Sequence, residues 1–452
     1  MRSEEMQETT LHSAKKASQR AKITIIGGGD PYCAYLLQGM VERADQLKGC
    51  HVTLLDSDDE QRIRIYTQGK KLFQRAEIEL TLEHTSNEED AISDATFVIS
   101  AFDVGGLQAR LLDETLPLRH GMIGHRSIGP GGFFATLRAT PAVASLAATM
   151  EKLAPKAFLL NHAEPNNIIT EVITRANGIR VIGVKNDLPS SMPSIASMAG
   201  IDLSANKRPY MRTIGLNRAS WTTAIWSEGS DILPEIVNWS REYMRQNSQM
   251  TAENYIQVMQ TTLIARYAAL PSYHMPYYYF PEIILEHIRQ KQQSLTEKQQ
   301  TLYPTQDKAQ QGNTPHVPSA KQRPIVNDFT LDVLCAILHN TGEEFVLNVP
   351  NRGALNFLED ERVVEIPCRV DARGATPLIQ NDGGLALDQR GLIVQLAEYA
   401  GATAQAALWG TSLDAIKALT ANPLVMSYSK AEALYHDLAT AHTRYLPARL
   451  RP

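Results

Sequence analysis

The chain has 452 residues, 43% of them hydrophobic, with 44 Lys and Arg against 49 Asp and Glu for a formal charge of -5. That length and apolar share are enough for two or more subdomains with their own cores, and the slightly acidic balance supplies no basic field to hold a phosphate backbone, which argues against nucleic acid as a partner. The cysteines Cys33, Cys50, Cys335 and Cys368 are scattered without metal-ligand spacing, no run approaches the roughly 18 apolar residues of a membrane span, and the start lacks the apolar core of a signal peptide; the expectation is a cytoplasmic protein with reduced thiols and no membrane contact.

Residues 1–20 read as a disordered tail. KITIIGGGD (22–30) is a β-branched run that breaks into glycines and continues with a helical pattern to about Arg43: strand, glycine turn, helix. HVTLLDSD (51–58) is a strand ending in acids, ATFVISAF (95–102) one ending before a glycine pair, and AFLLNHAEP (157–165) and RVIGV (180–184) continue the alternation. Strands alternating with helices predict a Rossmann-type, doubly wound parallel α/β sheet over 21–190, with the sheet ending near 190. Gly27 and Gly29, with Gly28 between them, allow a tight turn and close approach of a pyrophosphate to the helix start, although Tyr32 stands where the third glycine of GxGxxG belongs. Asp56, at the end of the second strand, can accept the adenosine ribose hydroxyls and repels a 2′-phosphate, so the pair of features points to NAD rather than NADP.

SIGPGGFF (127–134), ahead of a helix over 138–150, is either a structural turn or a second helix start facing an anion. Beyond 190 the texture changes. Residues 221–279 are rich in aromatics and helical patterning, and 191–452 is predicted to be a mainly helical α+β domain for substrate binding and oligomerisation. The Gln-, Lys- and Thr-rich stretch 290–324 has no apolar periodicity and reads as an exposed insertion. A helix (331–340), a strand and turn (345–353), a strand (363–371) and helices over the last hundred residues follow.

Taken in order, IIGGGDPY, DVGGLQARLLDETLPLRHGMIG, GPGG, LLNHAEPNN, GLNRASW, LPSYHMPYYY and VLNVPNRGA resemble glycoside hydrolase family 4, its 6-phospho-β-glucosidases above all, from about Lys22 to the C-terminus. The resemblance implies a dinucleotide-binding domain related to lactate and malate dehydrogenases, a homodimer or homotetramer, and a hydrolase of carbohydrate metabolism acting on a small-molecule sugar or glycoside. It also implies an unusual chemistry, apart from the two-carboxylate glycosidases: NAD takes a hydride from sugar carbon 3, a base, usually tyrosine, removes the proton on carbon 2, the glycosidic oxygen leaves, water adds and the hydride returns. A divalent metal, commonly Mn²⁺, held by a cysteine and a histidine, polarises the oxygens on carbons 2 and 3. The cofactor positions on this reading are Gly27, Gly28, Gly29, Asp56, Val104 and Asn161.

The metal ligands are replaced. The family's cysteine position holds Lys185 and its histidine position Arg218, and neither an ammonium nor a guanidinium has a lone pair to offer a metal. An asparagine of the family's NxxNP is Glu164, the serine that receives a 6-phosphate is Asp30, an arginine before VGG is Asp103, and GQET has become Gly124-His125-Arg126-Ser127, whereas Arg110, Asn161, Asn217 and Trp221 are retained. The expectation is therefore a site with no metal of the usual kind, in which Lys185 and Arg218 stabilise an enediolate, Glu164 pairs with one of them, Tyr273 or Tyr277 is the base, and Asp30, Arg110, Arg126, Glu164 and Asn217 meet the substrate. Two alternatives stand beside it: a simple sugar oxidoreductase with His162, His125 or Lys185 as base, and a non-catalytic protein that binds NAD or a sugar.

Overall fold

The computed structural model describes residues 21–101, 103–185, 195–201, 209–247, 250–251, 254–302, 329–425 and 427–452. The first half builds six parallel strands: β1 (Lys22–Ile26), β2 (His51–Leu55), β3 (Thr81–Thr85), β4 (Phe97–Ser100), β5 (Phe158–Asn161) and β6 (Arg180–Gly183). They lie in the order β3-β2-β1-β4-β5-β6, with Ile23 opposite Val52 and Phe97, and Asn161 opposite Gly183. Every residue of β2, β4 and β5 is buried, which is why these segments read as unbroken apolar runs: helices cover both faces of a parallel sheet. The helix Pro31–Glu42 turns Cys33, Leu36, Leu37 and Met40 into the core, the i, i+3, i+4, i+7 stripe of one helix face. Full burial of Leu37 and Met40 contributes about 1.5–3 kcal/mol each before entropy is counted. Strand order reverses between β1 and β4, and ligands of open α/β sheets bind outside the carboxyl ends at that crevice.

The sheet does not end near 190. β11 (Glu343–Pro350) pairs antiparallel with β6, and β12 (Val363–Asp371), β7 (Tyr210–Leu216), β8 (Ala219–Ser227) and the two-residue β10 (Leu270–Pro271) extend the same sheet, with β13 (Gly374–Pro377) on β12 and β9 (Ser230–Asp231) on β8. Trp221, read as the start of a helical region, lies in β8 and is wholly buried. The half is nonetheless rich in helices, among them Leu233–Gln246, Tyr255–Tyr267, Thr330–His339, Leu387–Trp409 and Tyr428–Ala441. Two boundaries also move. A helix runs Pro281–Leu302, so 290–302 is not a loop; Gln, Lys and Glu are good helix formers even without an apolar stripe, and the rest of the expected insertion, like the tail 1–20, lies outside the described residues. The helix expected from 138 begins at Pro130, and a Cβ on Gly131 or Gly132 would come within 2.8 Å of the Asp113 carbonyl or 2.7 Å of that of Arg126, so close packing accounts for this glycine pair.

Beneath that helix Arg138 makes a bidentate pair with Asp113 at 2.7 and 2.6 Å, and His442 lies 2.9 Å from the same carboxylate, all three side chains at most 1% exposed. Arg138 Nε also donates to the Val104 carbonyl at 3.2 Å, tying the loop after β4 to the C-terminal helices.

Candidate active site

Gly27 takes the left-handed conformation at φ 82°, and the N–H groups of Gly27 and Gly28 both donate to the Leu55 carbonyl at 3.0 and 2.9 Å. The turn lies so close to β2 that a Cβ on Gly28 would stand 2.8 Å from that of Leu54, and one on Gly29 would stand 2.8 Å from that of Gln61 and 3.0 Å from Asp56 Oδ2. Asp56 accepts from Gly29 N through Oδ2 and from Asp58 N through Oδ1, each at 2.9 Å, which fixes the carboxylate while leaving each oxygen lone-pair capacity for a ribose hydroxyl. The bare backbone of the turn and the oriented acid fit the adenosine half of a dinucleotide. Asn161 is used inside the protein: its Oδ1 accepts from Ser100 Oγ and Ala163 N, and its Nδ2 donates to Thr170 Oγ1. The Val104 side chain is partly buried against a hydrophobic core cluster, and its carbonyl serves Arg138.

Three chain ends meet next to this crevice. Glu164 follows β5, Lys185 follows β6, and Arg218 sits in the two-residue turn between β7 and β8 with φ 65°, a conformation rare outside glycine. Arg218 Nη2 lies 2.6 Å and Lys185 Nζ 2.9 Å from the same oxygen, Glu164 Oε1, while Ser127 Oγ donates to Oε2 at 2.9 Å. The carboxylate side chain is 2% exposed, those of Arg218 and Lys185 12% and 29%. Glu164 was expected to hold one cation; it holds both. Burial alone would raise its pKa, but the Arg218 and Lys185 charges outweigh burial and hold the carboxyl well below the usual carboxylate range. Lys185 is clamped from behind, its carbonyl accepting from Asn217 Nδ2 at 2.8 Å and Asn348 Nδ2 at 3.0 Å, and Glu365, 1% exposed in β12, accepts from Asn217 Nδ2 and Ser220 Oγ.

The aromatic wall follows from Arg218. Its Nη1 lies 3.1 Å from the His274 ring, which packs against His125, Tyr273 and Tyr277 at centroid distances of 4.7, 5.2 and 5.6 Å. Burial pushes the Tyr277 hydroxyl up to about 12, whereas Tyr273 is 41% exposed. His125 accepts from Ser127 N at 3.1 Å, and burial, then the neighbouring His274 and Arg218, holds its pKa well below the usual imidazole value. A base with a lowered folded pKa gives stability that is complete above its unfolded pKa of about 6.5 and is lost as pH falls below it. His125→Asn, which keeps an acceptor for Ser127, is accordingly expected to flatten the slope of unfolding free energy between about pH 6.5 and 5, by up to about 1.4 kcal/mol per pH unit; an unchanged slope in urea titrations would show that His125 is protonated in the fold.

Arg126 pairs with Asp103 at 3.2 Å near the mouth of the crevice, and Arg110 stands apart, its Nε 3.6 Å from Glu114 on the exposed side of the helix Gly106–Arg119. Asp30 caps the helix Pro31–Glu42, accepting from Tyr32 N at 2.7 Å. Sequence reasoning missed His274, Asn348 and Glu365 as members of the site and met Ser127 only as part of the replaced GQET; of the three missed, only Glu365 left a signal, a lone acid in the apolar strand VVEIPCRV. Among the described residues no group of three or more His, Cys, Asp or Glu converges to hold a metal ion. At the position the resemblance gives to the metal, a dication would face an ammonium and a guanidinium that already share the one carboxylate, so this donor set does not fit it.

The family model described as family 4 glycosyl hydrolase matches residues 22–201, and that of its C-terminal domain matches 213–425. A Bacillus subtilis (strain 168) protein described as a probable 6-phospho-beta-glucosidase is 27% identical over 437 residues, covering 94% of this chain and 97% of the relative. Among solved structures, a 6-phospho-alpha-glucosidase from gut microorganisms in complex with NAD and Mn²⁺ superposes with a TM-score of 0.78 at 22% identity, over 94% of this chain and 99% of that one. The 6-phospho-beta glucosidase from Thermotoga maritima, with NAD and glucose-6-phosphate, gives a TM-score of 0.77 at 24% identity over the same shares. With the two matches together spanning most of its length, the chain belongs to the family 4 glycosyl hydrolases.

Proposed function

We propose that this chain is an NAD-dependent glycosidase whose Lys185–Glu164–Arg218 cluster does the electrostatic work of the family's metal. The observation that carries this reading is the convergence of both cations on one buried carboxylate oxygen at 2.6 and 2.9 Å, at the carboxyl ends of β5 and β6, on the same edge of the parallel sheet as the glycine turn. NAD, when bound, supplies a hydride acceptor. The protein's part is to hold the sugar, to take the carbon-2 proton and to stabilise the charge that develops on the oxygens of carbons 2 and 3. The cluster carries two positive charges and one negative, so it presents a net cation in a partly dehydrated pocket, where fixed charge acts without reorganisation. Lys185, the more exposed of the two, is the one that meets substrate; Glu164 and Arg218 set its position. Tyr273 is the proton acceptor, because it is the more exposed residue of the two candidates.

The related structures bind NAD and, in one case, glucose-6-phosphate. In this chain Asp30, with Asp56 and Asp103 near it, opposes a phosphate, so the substrate we infer is a glycoside that is uncharged or carries its anionic group beside Arg126 or Arg110. Residues 21–190 serve the dinucleotide, and 191–452 serve substrate and self-association. Exposed Leu107 and Leu111, one turn apart on the helix Gly106–Arg119, support a homodimer or homotetramer, and the four buried free thiols suit the cytoplasm. Among the described residues no helix is long and apolar enough to cross a membrane.

Aryl glycoside cleavage should need NAD and survive EDTA, and Lys185→Ala should lower kcat about 100- to 1,000-fold, the scale of losing one preorganised stabilising group. Activity that EDTA abolishes and Mn²⁺ restores would defeat the metal-free reading.

A further inference from the structure

On the NAD dependence proposed above, the backbone donors of the glycine turn govern how firmly the cofactor is held. A diphosphate at a Rossmann turn is held by backbone N–H groups and by the positive end of the helix that follows. Here those donors are already in use. Gly27 N and Gly28 N donate to the Leu55 carbonyl, Gly29 N to Asp56 Oδ2, Asp30 N to the Gly27 carbonyl and Cys33 N to the Asp30 carbonyl. Residue 31 is proline and has no N–H to give. Tyr32 N, the first donor inside the helix, is taken at 2.7 Å by the Asp30 carboxylate. The helix start is also pinned: the Tyr32 ring stacks on His162 at a centroid distance of 4.0 Å, and its hydroxyl lies 3.2 Å from Thr330 Oγ1.

We propose that Asp30 and Pro31 turn a site that would retain its dinucleotide into one from which the dinucleotide exchanges, the Asp30 carboxylate standing as a built-in anion where the diphosphate has to sit. The adenosine end is untouched, since Asp56 keeps its orientation, so recognition survives while retention is lost. The charged groups facing Asp30 are Asp56 from the end of β2, Asp103 from the loop after β4 and Arg126 from the loop before the helix Pro130–Leu153; His162 comes near through its stack on Tyr32. Desolvation raises the Asp30 pKa against the lowering effect of the Tyr32 N–H, and the Asp103 and Asp56 charges add to the rise, with Arg126 opposing. Protonation removes the competing charge, so the affinity for a diphosphate grows as pH falls.

The test uses the full chain, with NAD and adenosine titrated calorimetrically into the wild type and Asp30→Ser at about pH 7.5 and 5.5. Serine is as good a helix cap as aspartate, so the variant keeps the fold while losing the charge. The wild type should leave purification with less than one NAD per chain. Asp30→Ser should bind NAD about tenfold tighter at the higher pH and gain less affinity than the wild type as pH falls, and adenosine, lacking phosphate, should bind both alike. Stoichiometric NAD retained by the wild type, or an Asp30→Ser affinity within about twofold of it, overturns the inference while leaving the glycosidase reading intact. Failure of both proteins to bind either NAD or adenosine overturns the inference and the NAD dependence together.

Discussion

Glu164→Ala is expected to lower the unfolding free energy by about 3 kcal/mol, because it removes the buried carboxylate that Arg218 and Lys185 both contact. Arg218 and Lys185 would both lose their contact with the carboxylate, their side chains being 12% and 29% exposed. Breaking a buried pair by deleting one partner costs about 3–5 kcal/mol, and the lower end applies because Lys185 can recover some water. Urea denaturation measures the loss, and adding Lys185→Met should recover at least half of it by removing one of the two cations. A loss below about 1 kcal/mol would mean that the cluster behaves as a solvated surface pair. The same carboxylate has a pH signature. An acid with a depressed folded pKa contributes stability that is present above its unfolded value of about 4.3 and withdrawn as pH falls through the folded one, so the wild type should lose this contribution well below pH 4.3 and the alanine variant should have none to lose.

Tyr273→Phe should lower kcat about 100- to 10,000-fold, the range for losing a positioned general base, with little change in substrate affinity. The decisive readout is exchange of the carbon-2 hydrogen with solvent deuterium, which should fall with kcat; a merely structural tyrosine would leave the exchange per turnover unchanged. Tyr277→Phe should cost less than about tenfold, since a hydroxyl pushed up to about 12 by burial is a poor source of phenolate. The reverse ranking would move the base to Tyr277 and require its environment to change when substrate enters.

The parallel half of the fold was legible because burial on both faces writes β-branched runs such as KITII and HVTLL into the chain, each closed by glycines or acids at the crevice. The antiparallel half was not. β7 and β8 form a hairpin that joins the sheet only through the distant β12, and their aromatics, Trp221 above all, carry no local mark that separates strand from helix. In the site, Lys185, Arg218 and Glu164 stood out because their side chains contradict the chemistry of the positions they occupy. That both cations share one oxygen could not be read, as Arg218 lies 54 residues from its partner and is aimed by a hairpin turn. Nor could it be read that Asn161, expected to meet the cofactor, is engaged in hydrogen bonds with Ser100, Ala163 and Thr170.

The single sheet running from β3 to β10 also has a mechanical meaning. Asn348 in β11 faces Gly183 in β6 and Glu365 in β12 faces Gly215 in β7, so the strand that leads to Lys185 and the hairpin that carries Arg218 belong to one sheet, joined at single paired positions on either side of the β11–β12 ladder. Enzymes made of two lobes on a hinge can shut around a substrate, whereas here a swing of one half against the other would have to break pairing within one sheet. The sheet thus favours charges that already stand near their working separation when substrate arrives. Discrimination between the resting sugar and its charged transition state then depends on where those charges stand, and a shift in strand register would disturb catalysis more than any change in the surrounding loops.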